Sequence, residues 1–209
     1  MKGLYTKIRN VQPHYHKQLL YLQTKISDDD LVYLKEEAKN ILENESQFKK
    51  YNKTLAGNIE KEYKLEKTQQ ILNPYLFDLA NKYIEYFEHK QKYQDWWDTT
   101  DMWINFQKKY EHNPLHNHGG KFSFVLWVQI PYELKEELVI PNCQYSNTPT
   151  NSLFSFVYTN VFGEVINNII SVDKYYEGTI IMFNSNLKHL VYPFHTSNDY
   201  RISISGNLK

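Results

Sequence analysis

The run NPLHNHGGKFSFVLWVQI, residues 113–130, decides how the second half of this chain folds. His116 and His118 stand two apart at its head and open an alternating, strand-like stretch. Side chains at i and i+2 of an extended backbone project from one face, so both imidazoles come within reach of a single ion. Imidazole binds Fe, Zn, Cu and Ni, so the pair alone does not select the metal. A third ligand has to come from elsewhere. His189 is the best candidate, because the intervening chain is long enough to pass through several strands and return beside the pair. Arg201 follows about one strand and one turn later. Its planar fork suits a bidentate grip on a carboxylate, and Ser203, on the same face of a strand, offers a hydroxyl to that group.

Working outward, apolar and aromatic alternation predicts strands over 102–109, 122–130, 153–159, 164–172, 179–183 and 200–208. In the last of these Arg201, Ser203, Ser205 and Asn207 share one face, with Ile202 and Ile204 on the other. A barrel interior that holds a charged co-substrate has this pattern, and so does an ordinary edge strand with a solvated face. Trp103, Asn105 and Gln107 likewise share a face. Upstream, Leu31, Leu34, Ala38, Ile41 and Leu42 recur at helical spacing after the acidic start Asp28-Asp29-Asp30. A second helix holds Ile71, Leu76, Leu79, Ala80, Tyr83, Ile84 and Phe87, with Pro74 in its first turn. Helices followed by many short strands predict a mainly β, α+β fold: a double-stranded β-helix, the cupin-like jelly-roll barrel, buttressed by N-terminal helices. Residues 5–11 are expected to add an edge strand. No Gly/Ser/Pro-rich linker divides the chain, so 1–209 reads as a single domain, with helical support over about 1–99 and the barrel over about 100–209.

Composition narrows the partners. Lys and Arg total 24 against 24 for Asp and Glu, so no global field attracts nucleic acid or an anionic membrane. There is no apolar run of membrane-spanning length and no signal-peptide core, and the single Cys143 suits a reducing cytosol; a cytoplasmic protein is expected. His14 and His16 form a second His-x-His, but in a polar segment with no downstream partner they read as non-ligands. His89 and His112 read as surface residues, and His195 as a loop residue at the site's mouth or facing water. Cys143 has no matched base and is not expected to be a nucleophile. Gly119-Gly120 suits a turn or a close approach. The segments 45–66 and 134–151 are candidates for the rim of the entrance.

The segments Asn113-Pro114-Leu115-His116-Asn117-His118-Gly119-Gly120, Ser123-Phe124-Val125, Tyr132-Glu133-Leu134, Gly178-Thr179-Ile180-Ile181-Met182-Phe183, His189-Leu190-Val191-Tyr192-Pro193-Phe194 and Arg201-Ile202-Ser203-Ile204-Ser205-Gly206-Asn207 carry a resemblance in their order and spacing. Residues 100–209 resemble the Fe(II)- and 2-oxoglutarate-dependent oxygenases found in marine bacteriophages and bacteria. The resemblance implies iron bound by His116 and His189, with Arg201 and Ser203 on the far carboxylate of 2-oxoglutarate. In the wider superfamily a carboxylate stands two residues after the first histidine; here His118 takes that place, as in the phage-type branch. With His118 as third ligand, the implied reaction consumes O2, decarboxylates 2-oxoglutarate to succinate and hydroxylates a prime substrate, either a small molecule or a protein side chain. Two other readings of the same residues stay open: a three-histidine cupin-type dioxygenase that ignores 2-oxoglutarate, and a non-catalytic jelly-roll binding or structural protein. Oligomeric state is not legible.

Overall fold

The computed structural model describes residues 20–88 and 97–209. In chain order the elements are β1 (Tyr21–Lys25), α1 (Asp28–Glu43), β2 (Lys61–Lys64), α2 (Gln69–Glu88), β3 (Thr99–Gln107), β4 (Asn113–His116), β5 (Phe122–Gln129), α3 (Leu134–Glu137), β6 (Phe154–Thr159), β7 (Val165–Ile170), β8 (Thr179–Asn184), β9 (Lys188–Val191) and β10 (Arg201–Leu208). The strands form a six-stranded major sheet, β1-β8-β5-β10-β3-β2, and a four-stranded minor sheet, β4-β9-β6-β7; every pairing is antiparallel. This is the predicted jelly-roll with helices on its larger sheet.

Period-two alternation divides the core into two layers. Phe122, Phe124, Leu126 and Val128 of β5, with Ile202 and Ile204 of β10, pack in one cluster with Leu34, Ala38 and Ile41 of α1 and Leu72, Leu76 and Ala80 of α2. Val125 and Trp127 point the other way, into a second cluster between the sheets with Phe154, Phe156, Ile181 and Phe183.

Helix α1 starts as its acids predict. Ser27 caps it by accepting from the Asp30 N–H at 3.1 Å, and the Tyr75 hydroxyl of α2 donates to Asp30 at 2.6 Å, tying the two helices together. Pro74 lies in the second turn of α2 rather than the first, because the helix begins earlier than its apolar residues do. The start at Gln69 follows Thr68, whose carbonyl accepts from the Ile71 and Leu72 N–H groups.

The expected edge strand at 5–11 lies outside the described residues; β1 holds the edge beside β8. The chain reaches His118 differently from the expectation too. His116 closes the short strand β4 of the minor sheet, and His118 sits in the crossing to β5, pinned by its N–H to the Ser185 carbonyl at 3.0 Å. Among the described residues no helix is long and apolar enough to cross a membrane.

Gly206 marks a close approach within the major sheet. A β-carbon there would lie 2.4 Å from the Asp101 carbonyl oxygen and 2.7 Å from the Phe124 ring, whereas one on Gly119 would meet nothing within 4 Å. Gly206→Ala is therefore expected to cost about 2 kcal/mol, lowering the melting temperature by roughly 4–8 °C, through overpacking. Gly119→Ala should stay within about 0.5 kcal/mol of wild type in the same thermal unfolding experiment.

Candidate metal centre

One row of the minor sheet and one connection assemble the histidines. His116 on β4 is the register partner of His189 on β9, which in turn opposes Phe156 on β6. His118 joins them from the crossing, and the nearest ligand atoms of the three rings lie within 4.8 Å of one another. Metal–imidazole bonds of about 2.1 Å need only small side-chain rotations to draw such rings onto one ion. No Asp, Glu or Cys joins this cluster among the described residues, so the three imidazoles form it without a carboxylate.

Protonation and tautomer both favour metal binding. The ring nitrogen Nδ1 of His116 lies 2.7 Å from the Pro114 carbonyl, and Nδ1 of His189 lies 3.1 Å from the Leu187 carbonyl. A carbonyl only accepts, so each Nδ1 carries the proton and each Nε2 keeps its lone pair for an ion. Burial holds the His116 imidazole below its ordinary range. Burial and then the His116 charge push His118 down to about 4; burial, then His116 and His118, push His189 down to about 3. All three are neutral at pH 7, as ligands must be. Phe154 stacks on the His189 ring at 5.6 Å and Phe183 meets it edge-on at 4.8 Å, walling that side of the centre.

The major sheet faces the histidines across a shared cavity. Its inner face carries residues in rows: Arg201 beside Gln107, then Glu62, Asn105, Ser203 and Trp127, then Trp103, Ser205 and Val125. Arg201 is 2% exposed, with no carboxylate within ion-pair distance among the described residues. Its donors are all engaged. Nε and Nη2 donate to Gln107 Oε1 at 3.1 and 2.8 Å, Nη1 to the Tyr132 hydroxyl and the Ser152 carbonyl at 2.9 and 2.7 Å, and Nη2 also to the Tyr192 carbonyl at 2.8 Å. The guanidinium carbon lies 5.7 Å from the centre of the Tyr132 ring and 5.5 Å from that of Phe194. The fork therefore already holds an oxygen, that of Gln107, in the place a carboxylate would take. Every acceptor that hydrogen-bonds this buried charge is neutral. Ser203 Oγ accepts from the Asn105 amide at 3.1 Å.

The pieces expected from the sequence thus converge: His116, His118, His189, Arg201, Ser203, Trp103, Asn105 and Gln107 all line one cavity. His112 and His195 stay out of it. The His195 N–H donates to the buried Glu137 carboxylate, and its ring lies 3.1 Å from the Asn142 amide. His14, His16 and His89 lie outside the described residues. Of the two candidate rim segments, 45–66 contributes Leu55, Ala56, Gly57 and Glu62, whereas 134–151 lines no part of the cavity.

The donor set fits a divalent ion that favours nitrogen, and the buried guanidinium fits a dianionic co-substrate. The family described as "Putative 2OG-Fe(II) oxygenase" matches residues 101–207, which contain His116, His118, His189, Arg201 and Ser203 and run from within β3 to within β10. The chain belongs to this oxygenase family. Oxygenases of this family use Fe(II), 2-oxoglutarate and O2. The oxygenase fold is shared with a prolyl-4-hydroxylase of Pseudomonas putida, at a TM-score of 0.56 and 11% identity over 90% of this chain and 91% of that one. A viral collagen prolyl hydroxylase from Paramecium Bursaria Chlorella virus-1 gives 0.52 and 11% over 91% and 96%. A Trichoplax adhaerens prolyl hydroxylase, solved with a hypoxia inducible factor peptide, gives 0.53 and 10% over 90% and 82%. No curated protein matches the sequence.

Glu62 is the residue the sequence does not announce. It stands in a polar stretch with no periodicity, yet it is 1% exposed inside the cavity. Burial, then the nearby Glu111 charge, push its carboxyl up to about 8. An acid raised in the folded state binds a proton that the unfolded chain has already lost, so stability should fall as pH rises from about 4.5 to about 8. Denaturant unfolding at several pH values should show that slope in wild type, with a shallower one in Glu62→Gln; equal slopes would contradict the burial argument.

Proposed function

We propose that this oxygenase is a hydroxylase in which His116, His118 and His189 hold the iron, while Arg201 and Ser203 grip the distal carboxylate of 2-oxoglutarate. The observation that carries the reading is the pairing of two walls: three clustered imidazoles, two of them tautomer-fixed, on one side of a cavity, and a buried guanidinium without a carboxylate partner on the other. Residues 1–209 are proposed to act as one domain, since the helices pack on the same major sheet whose inner face carries Arg201. We place the reaction in the cytoplasm, in keeping with the free, buried Cys143.

When bound, iron and 2-oxoglutarate supply the oxidation: O2 is consumed, the 2-oxo acid becomes succinate and CO2, and the prime substrate gains a hydroxyl. The protein's own contribution is positioning. The Pro114 and Leu187 carbonyls fix His116 and His189 with Nε2 free to hold a metal, and His118 would supply the third nitrogen. Gln107 gives up its place in the Arg201 fork to the incoming carboxylate, so the charged pair forms only when the co-substrate arrives. Tyr132 and the Ser152 and Tyr192 carbonyls keep the guanidinium in position throughout. Phe154, Phe183 and Trp127 exclude water from the cavity. The prime substrate is a small molecule or a protein side chain; the Trichoplax relative, solved with a peptide, favours the second.

Anaerobic Fe(II) titration with and without 2-oxoglutarate tests this reading through the visible charge-transfer band of a metal-chelated 2-oxo acid. The band is expected only with both partners and should vanish in His189→Ala. Arg201→Ala should weaken 2-oxoglutarate at least tenfold, about 1.4 kcal/mol, while leaving iron affinity within about threefold. Tight iron binding with no band would point instead to a three-histidine dioxygenase.

A further inference from the structure

We propose that Glu62 and Asn105 form the wall that recognises the prime substrate, and that the group they read is an uncharged amide, an N–H beside a C=O. The inference rests on the oxygenase reading above and adds its substrate class.

Glu62 on β2 and Asn105 on β3 are register partners on the inner face of the major sheet, in the same row as Ser203. They are 1% and 4% exposed and both line the cavity. Each carries a buried oxygen, Glu62 Oε2 and Asn105 Oδ1, with no hydrogen-bond partner. Such groups are costly to leave unmet, so two of them on residues that line the cavity wall point to a ligand that completes them. The orientation of Asn105 follows from the Ser203 carbonyl, which can only accept and lies 3.4 Å from the amide nitrogen, so the amide oxygen is the free atom.

The charge state follows from the surroundings. No lysine or arginine lies within ion-pair distance of Glu62 among the described residues, and the charge that acts on it, Glu111, is like in sign. A buried carboxyl with no ion-pair partner and a like charge nearby keeps its proton in the unloaded protein. It then offers one O–H donor and one C=O acceptor, alongside the Asn105 acceptor. An ammonium group would meet a bound divalent ion and Arg201, both repulsive. A carboxylate would meet the lone pairs of Asn105. An amide satisfies the whole wall: its C=O takes the Glu62 proton, and its N–H groups take the free oxygens.

A loop covers one edge of this wall. A β-carbon on Gly57 would lie 2.2 Å from Asn113 Oδ1 and 3.1 Å from Glu62 Oε1, so the 55–57 loop rests directly on this edge of the cavity. Glu62 lies outside residues 101–207, so the wall is supplied in part by chain that the family match does not reach.

The test uses propionamide, propylamine and propionate as probes, read by saturation-transfer NMR on wild type, Glu62→Gln and Glu62→Leu. Each protein is examined alone and after anaerobic loading with Fe(II) and 2-oxoglutarate. Propionamide should bind loaded wild type at least tenfold more tightly than either charged probe. Glu62→Gln, which keeps a donor and an acceptor, should hold it within threefold, and Glu62→Leu should lose at least tenfold. Tightest binding of propylamine, abolished in Glu62→Gln, would overturn the proposal in favour of an ionised Glu62. Equal binding across the three proteins, with the visible band intact, would overturn it by making Glu62 purely structural while the oxygenase reading stands. If the band fails in wild type, the oxygenase reading falls, and the unloaded titrations still decide for or against the amide wall.

Discussion

A guanidinium buried on β10 is the constraint around which the barrel is organised. Strand β10 lies in the middle of the major sheet, between β5 and β3, so neither edge of it reaches water. Its alternation sends Ile202 and Ile204 under the helices and Arg201, Ser203 and Ser205 into the cavity. A slip of one residue would reverse every side chain and bury the charge among leucines, so the helix layer, the register and the polar interior specify one another. The guanidinium is tolerated because five acceptor contacts surround it, and it is incomplete because none of them is charged. That combination of full hydrogen bonding and wholly neutral acceptors supports the proposed anion grip.

The metal side is built with shorter pieces. Strands β4 and β9 have four residues each, and their pairing sets His116 directly against His189. Backbone carbonyls rather than carboxylates hold His116 and His189, which leaves their basicity low, and a metal held by three imidazoles would be one charge more positive than one with an anionic ligand. Glu62 is a carboxyl lining the same cavity, yet it stands on the opposite sheet and outside the histidine cluster. Its chemistry belongs to the substrate side of the pocket, where a neutral acid adds a hydrogen-bond donor without competing for the ion.

Strong periodicity was legible from residue order alone. The alternation of β5 and β10, the helical spacing of α1 and the inward row Trp103, Asn105 and Gln107 all follow from side-chain period. The histidines and Arg201 were legible as a set because their spacing matched strands that return to one place. What escaped was short or internally contradictory. Strand β4 contains Pro114, and β2 turns a glutamate inward, so neither has the apolar rhythm that marks a buried strand. The role of Gln107 is invisible without coordinates, because only geometry shows its oxygen resting in the arginine fork. Pro74 misled by its preference for a first turn, when the polar residues before it had already begun α2.

The central claim is that one ion sits between three imidazoles and one carboxylate takes the place of Gln107. Crystals grown anaerobically with Fe(II) and 2-oxoglutarate, measured at the iron absorption edge, address it directly. The account predicts a single anomalous peak at bonding distance from Nε2 of His116, His118 and His189, with the distal carboxylate on Arg201 and the Gln107 side chain turned away. An iron peak that leaves out one of these histidines, or a co-substrate whose distal carboxylate ignores Arg201, would contradict it.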